Sequence, residues 1–193
     1  MKLFKTYGAV VKVLDIVTDL AERFTGFEKA IDKPEIAFSS NNLVGSNGNI
    51  EVQIEGKMHR LVGGPYLNKP VGMAGIKLAV EIDAACDVSL RIPDFSVPDE
   101  TEATVALYEA FLMLSEKREV YMGCMGGIGR TGVFMALMLK VIAIYEDASP
   151  EDSMSTVEMV RANYLSHAVE TEEQYAYVSQ FDAYQVALLL KKS

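Results

Sequence analysis

The sequence predicts an α/β fold in which strands are sheltered between helices. Two observations predict it. Short alternating or apolar runs typical of strands recur along the chain, and longer amphipathic or apolar segments typical of helices separate them. Half of the 193 residues are hydrophobic and 23% are charged, a composition that favours a folded chain with a substantial core. We expect one domain over residues 1–193, made of an N-terminal helix and hairpin extension over 1–55 and a core over 56–193.

The N-terminal half begins with a predicted amphipathic helix over residues 7–24, because its apolar residues fall near one face. A polar, glycine-bearing stretch, SSNNLVGSNGN, follows. A hairpin is predicted next: IEVQI alternates like a strand, EGK turns, and MHRLV returns. Residues 71–82, VGMAGIKLAVEI, are ambiguous and compatible with a short helix before a strand, DVSLRI, at 87–92.

The C-terminal half is predicted to be mainly helical around one short strand. A helix is expected over about 101–117, and Asp99 with Glu102 three residues later resembles a capping box at its start. EVYM follows as an apolar strand, and TGVFMALMLKVIAIY as a strongly apolar helix. Residues 150–164 predict a further helix with proline in its first turn. A long final helix is expected from about Thr171.

Composition argues against several classes of function. The net charge of −9 disfavours nucleic acid as a partner, because nucleic-acid binding normally needs a basic surface. The sequence has no apolar run of the roughly 18 residues that a membrane span requires. The first twenty residues begin like a signal peptide, but charged residues interrupt the apolar run. Two cysteines without a secretion signal are typical of a reducing cytosol, so a cytoplasmic location is expected.

The stretch GCMGGIGRTG, at 123–132, places a cysteine and an arginine at the two ends of a glycine-rich turn. This turn joins a predicted strand to a predicted helix, where free amide hydrogens and the helix dipole form an anion site. The cation of Arg130 is unfavourable there unless an anion joins it, and a guanidinium can hold two phosphate oxygens. In the same field we expect Cys124 to be a thiolate. The turn therefore predicts a nucleophile that faces a bound phosphate.

Cys-x5-Arg followed by Thr-Gly resembles the phosphate loop of cysteine-dependent protein tyrosine and dual-specificity phosphatases. The usual form there is His-Cys-x-x-Gly-x-Gly-Arg-Ser/Thr-Gly. The matching residues are Cys124, Gly127, Gly129, Arg130, Thr131 and Gly132. Gly123 stands in place of the histidine, which in the family helps to orient the loop around the cysteine. The resemblance covers roughly residues 60–185 and implies the fold of that family, a central mixed sheet of about four to five strands flanked by helices.

Two further segments resemble parts of these phosphatases. IPDFSVPDE, at 92–100, is similar to the mobile loop that carries the general acid, and Asp94 matches the proton donor. Asp99 is the alternative, although a helix cap explains it equally well. The segment at 160–178 is similar to the one that carries glutamines near the hydrolytic water. Gln174 matches the second of these glutamines, and Glu170 stands where tyrosine phosphatases carry the water-positioning one.

The resemblance implies a two-step reaction. Cys124 attacks phosphorus while Asp94 protonates the departing oxygen, and water then hydrolyses the phosphocysteine with Asp94 as the base. Thr131 is expected to donate a hydrogen bond to the Cys124 sulfur and to ease its departure. The phosphate oxygens are expected to be bound by the Arg130 side chain and by the loop amides of Met125, Gly126, Gly127, Ile128, Gly129 and Arg130.

The reaction implies no cofactor and no metal. His59 and His167 are isolated, and neither has ligand spacing with Cys86 or Cys124. Cys86 is expected in the core, with a role as a resolving thiol for oxidised Cys124 as the alternative.

A phosphorylated protein is the expected substrate, with phosphotyrosine and phosphoserine or phosphothreonine both open. The variable loop positions Met125, Gly126 and Ile128 include no lysine, which disfavours phosphoinositides. Two alternatives remain. One is a non-catalytic module that binds phosphorylated proteins, favoured by Gly123. The other is a phosphatase of a small phosphorylated metabolite or of RNA 5′ ends.

Overall fold

The computed structural model describes residues 44–46, 48–147 and 155–192. The chain divides into two compact units, Met1–Pro34 and Glu35–Ser193, and all described residues belong to the second. The helix expected over 7–24 lies outside the described residues. The assignment of residues 1–193 to one domain stays a prediction.

Six strands form one mixed sheet in the described part of the chain, in the order β1-β2-β3-β6-β4-β5. The strands are β1 (Val44–Ser46), β2 (Asn49–Ile54), β3 (Lys57–Pro65), β4 (Gly75–Ala79), β5 (Val88–Ile92) and β6 (Glu119–Cys124). The first three pair antiparallel, whereas β3, β6, β4 and β5 are parallel. Strand β6 therefore lies between β3 and β4, and the ends of the parallel strands meet at one edge of the sheet.

The predicted mixed sheet flanked by helices is confirmed, and so is the hairpin of β2 and β3. Glu55 and Gly56 form its two-residue loop, and both have positive φ, 50° and 72°. Two strands were not predicted. β1 lies inside the polar stretch SSNNLVGSNGN, and β4 lies in 71–82, which the sequence left ambiguous and compatible with a short helix. Of the two interpretations the strand is correct, and the sequence left the choice open because the periodicity of a short apolar run does not distinguish a strand buried between two neighbours from a helix.

Five helices pack around the sheet in the described residues. They are α1 (Glu100–Lys117), α2 (Gly129–Tyr145), α3 (Thr156–Asn163), α4 (Glu172–Gln180) and α5 (Ala183–Lys192). Helix α2 is buried along almost its whole length, as its uniformly apolar sequence predicts, and it packs against β6, α3 and α5. Because α2 follows β6 directly, the turn between them is held in place by both elements.

Two predicted helix boundaries are wrong. Helix α3 begins at Thr156 and not at the predicted proline, since Ser155 is extended and forms a reciprocal capping box with Glu158. The single final helix is in fact two, α4 and α5, because the backbone at Phe181 is extended, with φ −58° and ψ 129°. The Nζ atom of Lys140 donates to carbonyls at this break.

Candidate active site

The predicted nucleophile and its neighbour lie together at the junction of β6 and α2. Cys124 ends β6 and is 3% exposed, and Thr131 lies in the first turn of α2. The Thr131 hydroxyl donates to the Cys124 Sγ atom at 3.3 Å, and the Cys124 amide donates to Thr131 Oγ1 at 3.0 Å. These two contacts fix the sulfur at the amino end of a helix, where a negative charge is favoured.

Residues 125–128 form the turn between the strand and the helix. Met125 and Gly126 are exposed, Ile128 is half-buried, and Gly127 and Gly129 are buried. Gly127 has a φ of +73°, and a Cβ atom there would collide with the backbone of Gly64. The loop is therefore open to solvent at its start and packed against β3 at Gly127.

The packing around Gly123 leaves no room for the histidine side chain that usually precedes the cysteine. A Cβ atom at this position would lie 2.5 Å from the Gly64 carbonyl oxygen and 2.8 Å from the backbone of Tyr66. Side-chain Cβ atoms do not approach other backbones so closely. In this structure β6 thus approaches the end of β3 too closely for a side chain at position 123.

The Arg130 side chain is 3% exposed and is surrounded by acceptors. Its Nη1 atom donates to Glu81 Oε2 at 2.9 Å and to the Ile92 carbonyl at 3.0 Å, while Nη2 donates to Glu81 Oε1 at 2.6 Å. Asp94 Oδ1 lies 2.9 Å from Nη2. Burial opposes the charged form, but the hydrogen bonds that Arg130 donates to Glu81 and the nearby charges of Cys124, Glu81 and Asp94 raise the pKa of Arg130. The guanidinium is therefore held as a cation beside the loop.

Glu81 is the residue of this site that sequence reasoning missed. It follows β4, and its bidentate hydrogen bond with Arg130 lowers the pKa of its carboxyl group. The feature of the sequence that could have identified it is its position: Glu81 is the acidic residue that follows the apolar residues LAV within IKLAVEI. If that run is taken as a parallel strand, Glu81 falls at the same edge of the sheet as Asp94 and Cys124, because the carboxyl ends of parallel strands meet there.

The structure separates the two aspartates that were candidates for the general acid. Asp94 contacts Arg130, its side chain is 64% exposed, and its Oδ1 atom accepts from the Phe95 amide at 3.1 Å. Asp99 instead caps α1, with Oδ1 accepting from the amides of Thr101 and Glu102 at 2.9 and 3.0 Å. Asp94 is therefore the one that lies beside the guanidinium.

Glu170 and Gln174 both lie against the last glycine of the loop. A Cβ atom on Gly129 would meet the Glu170 carboxylate, and would lie 3.0 Å from Gln174 Oε1. Gln174 is fully buried, accepts from the Glu170 amide at 2.8 Å and donates to the Ser96 carbonyl at 3.2 Å. This glutamine connects the loop that holds Asp94 to the start of α2.

Cys86 is half-buried and packs against the core, and neither cysteine forms a disulfide. In the described ranges no group of three or more His, Cys, Asp or Glu side chains is arranged to hold a metal ion. Among the same residues, no helix has the length and apolar character needed to cross a bilayer.

Comparison with known proteins places most of this site in one family. Residues 92–183 match the family model of the protein-tyrosine phosphatases. This segment, slightly less than half of the chain, is similar to the protein-tyrosine phosphatases. It includes Asp94, the loop from Cys124 to Arg130, and both Glu170 and Gln174, whereas Glu81 precedes it. The family that the sequence resembles is therefore confirmed.

The relatives cover parts of the chain at moderate identity. Over 99 residues it is 31% identical to an uncharacterized protein of Methanocaldococcus jannaschii, a match that covers 48% of this chain and 57% of that protein. Over 90 residues it is 28% identical to cyclin-dependent kinase inhibitor 3 of Sus scrofa, with 47% and 40% covered. The matched segment thus spans about half the length of these curated relatives.

Similar solved structures include the kinase-associated phosphatase with its catalytic cysteine replaced by serine. That likeness has a TM-score of 0.49 at 18% identity and covers 65% of this chain and 86% of that one. The active form of Tk-PTP gives a TM-score of 0.46 at 22% identity, with 63% and 89% covered.

Proposed function

We propose that this protein is a cysteine-dependent phosphatase that hydrolyses phosphate monoesters on proteins. One observation carries the proposal. The buried Cys124, the Thr131 hydroxyl that is hydrogen-bonded to its sulfur, and the buried Arg130 cation lie together in a single turn at the amino end of α2. A phosphate bound in this turn meets the amides of residues 125–130, the helix dipole and the guanidinium of Arg130. The thiolate of Cys124 then faces phosphorus.

In the first step, the Cys124 sulfur forms a bond to phosphorus while the bond from phosphorus to the leaving oxygen breaks. Asp94 donates a proton to that oxygen, so the product leaves as a neutral alcohol or phenol. Asp94 suits this role because it is exposed and lies beside the Arg130 Nη2 atom. An incoming phosphate takes the place of the Asp94 carboxyl group at Nη2, which frees that group to face the leaving oxygen.

In the second step, water attacks phosphorus and the sulfur–phosphorus bond breaks. Asp94 takes a proton from the water, which restores its acid form, and inorganic phosphate is released. The Thr131 hydroxyl stabilises the departing thiolate through the hydrogen bond that it already donates to Sγ. Glu170 and Gln174, which lie against Gly129, are suited to hold the attacking water.

Glu81 gives the site its rigidity in this proposal. The Arg130 guanidinium must bind phosphate in one orientation, and a carboxylate bonded to its opposite edge holds it in that orientation. The bidentate contact with Glu81 leaves the Nε atom of Arg130 and the face shared with Asp94 for the substrate. Charge stabilisation in the transition state depends on such preorganised donors.

The loop supports a substrate with one phosphate in the site. Its variable residues Met125, Gly126 and Ile128 carry no cation that a second phosphate would need. A phosphorylated protein is therefore favoured over a phosphoinositide, and small phosphorylated metabolites or RNA 5′ ends are the alternatives. The rival function is a non-catalytic module that binds phosphoproteins. Its one supporting feature was Gly123, and the close packing of Gly123 on Gly64 and Tyr66 provides a steric reason for that residue.

The test is phosphate release from an aryl phosphate by the wild type and the variants Cys124→Ser, Asp94→Ala and Asp99→Ala, over about pH 5–8. We expect a bell-shaped profile for the wild type, no turnover for Cys124→Ser, and about a 10²–10⁴-fold loss of kcat for Asp94→Ala. Asp99→Ala is the matched control. It should keep its kcat and lose about 0.5–2 kcal/mol of stability, since Asp99 caps α1.

A wild type that binds phosphopeptides but releases no phosphate would contradict the enzyme and support the binding module. Equal losses of kcat in Asp94→Ala and Asp99→Ala would contradict the role of Asp94. If turnover is found, phosphotyrosine and phosphothreonine peptides of identical sequence then distinguish the substrate classes.

A further inference from the structure

A buried tyrosine, Tyr164, contacts the backbone of the loop formed by residues 125–130. Tyr164 directly follows α3, is 3% exposed, and donates a hydrogen bond from its hydroxyl to the Gly127 carbonyl oxygen at 2.5 Å. Its ring is packed against Gly63, where a Cβ atom would lie 2.8 Å from ring atoms Cε2 and Cζ. Gly63 thus leaves room for the ring, and the ring delivers the hydroxyl to one specific peptide of the loop.

The hydrogen bond fixes the direction of that peptide. In a planar trans peptide the carbonyl oxygen and the following N–H point in opposite directions. Because the hydrogen bond directs the Gly127 carbonyl oxygen toward the Tyr164 hydroxyl, the Ile128 N–H points away from Tyr164. This amide belongs to the set that binds phosphate in the proposed mechanism.

The loop needs such an anchor because its own residues are permissive. Gly126 and Gly127 are adjacent, and glycine accepts both signs of φ at little cost. Gly127 has a φ of +73°. The peptide between Gly127 and Ile128 can therefore rotate unless its oxygen has a fixed partner, and rotation would turn the carbonyl oxygen toward the phosphate.

We propose that Tyr164 is a positioning residue for phosphate binding, whose hydroxyl keeps the Ile128 amide directed at the bound phosphate. The proposal rests on the proposed function for its activity measurements, but its binding measurements do not. Tyr164 is buried and lies below the loop, so it acts through the Gly127 peptide.

The test compares Tyr164→Phe with Tyr177→Phe. Tyr177 is the matched control, because its hydroxyl is also buried but has no hydrogen-bond partner among the described residues. Each variant removes one buried oxygen and keeps the ring. The measurements are the Kd of tungstate by calorimetry, kcat and KM for an aryl phosphate, and the amide NMR signals of Gly127 and Ile128.

For Tyr164→Phe we expect tungstate binding to weaken about tenfold and kcat/KM to fall about ten- to hundredfold. Without the Tyr164 hydroxyl, the Ile128 amide no longer points at the anion, and one hydrogen-bond donor to it is lost. The signals of Gly127 and Ile128 should shift, and Tyr177→Phe should match the wild type in each measurement. Thermal unfolding establishes that both variants are folded at the temperature used. Should Tyr164→Phe be unfolded there, both variants and the wild type are measured at a lower temperature at which all three are folded.

Tungstate affinity and loop signals of Tyr164→Phe equal to those of the wild type would overturn the proposal. Equal weakening by the two variants would overturn it as well, since a general effect on packing would then explain both. A wild type that binds tungstate but releases no phosphate would contradict the proposed function alone, and the binding comparison would still decide the role of Tyr164. A wild type that binds no tungstate would contradict both.

Discussion

The glycines of this site differ in whether the surrounding structure leaves room for a side chain. Gly123 and Gly126 differ in what surrounds them: a Cβ atom on Gly123 would collide with backbone, whereas one on Gly126 would meet only the Ile128 side chain at 3.8 Å. Backbone cannot yield as a flexible side chain can. The same small substitution is therefore expected to destabilise the protein at Gly123 and to have little effect at Gly126.

We predict that Gly123→Ala lowers the free energy of unfolding by about 1–3 kcal/mol, because the added methyl group forces β6 away from β3. Gly126→Ala should change it by less than about 0.5 kcal/mol. Gly123→His, which restores the residue usual in the family, should destabilise the protein more than Gly123→Ala. Denaturant unfolding of the three variants measures this. A Gly123→His variant as stable as the wild type would contradict the steric explanation.

The pair of Glu81 and Arg130 predicts a pH dependence of stability. Its hydrogen bond to Arg130 lowers the pKa of Glu81 in the folded state. The pair therefore contributes stability above the unfolded carboxyl pKa of about 4.3 and loses it as the pH falls through the lower folded value. Glu81→Gln should have a lower Tm than the wild type at pH 7, and the difference should shrink below about pH 4.

Asp83→Asn is the control for this measurement, because Asp83 is exposed on the same loop. Its Tm should stay close to that of the wild type across the pH range. A difference between wild type and Glu81→Gln that does not change with pH would mean that shape, and not charge, accounts for the effect.

At the scale of elements, Lys140 of α2 stabilises the end of α4. Its Nζ atom donates to the carbonyl oxygens of Val178, Ser179 and Phe181 at 2.7, 3.2 and 3.2 Å. The last carbonyl groups of a helix have no hydrogen-bond partner within the helix. A cation near them also interacts favourably with the negative end of the helix dipole. This lysine thus connects two helices at the point where the chain turns from α4 into α5.

We predict that Lys140→Met, which keeps the apolar stem, destabilises the protein by about 1–3 kcal/mol, because three carbonyls lose a charged donor. Lys191→Met should cost less than about 1 kcal/mol, since the contact of Lys191 with Asp147 is an exposed ion pair. Urea unfolding compares the two. Equal effects would contradict a special role for Lys140 at the helix end.

At the scale of the whole molecule, the net charge of −9 acts on every charged substrate that approaches the site. Repulsion between like charges extends over about 30 Å at 0.01 M salt and about 8 Å at 0.15 M. Under the proposed function, this repulsion acts on the encounter between the protein and its substrate, and therefore on kcat/KM.

For a phosphopeptide flanked by aspartates, kcat/KM should rise roughly two- to tenfold as NaCl increases from about 0.01 to 0.15 M. For the same peptide flanked by lysines it should fall. A common decrease for both peptides would indicate competition by chloride at the site instead of long-range repulsion.

The reactive turn was predictable because its parts are close in sequence. Cys124, Arg130 and Thr131 lie within eight consecutive positions, so the turn geometry and the helix that follows bring them together without help from distant residues. The short strand β6 and the apolar helix α2 were predicted on the same local signals. Asp94 was found by resemblance, since nothing in the spacing alone separates it from Asp99.

Glu81 and Tyr164 depended on tertiary structure, because each reaches its partner across a long sequence separation: 49 residues from Glu81 to Arg130 and 37 from Gly127 to Tyr164. The break between α4 and α5 likewise involves a lysine from another helix. The start of α3, in contrast, depends on a local cap between Ser155 and Glu158. The sequence by itself indicated the proposed chemistry of the turn, because local backbone geometry creates an anion site. Only the tertiary structure decided which residues hold that turn in shape, because those contacts form when β3, β4 and α3 pack around it.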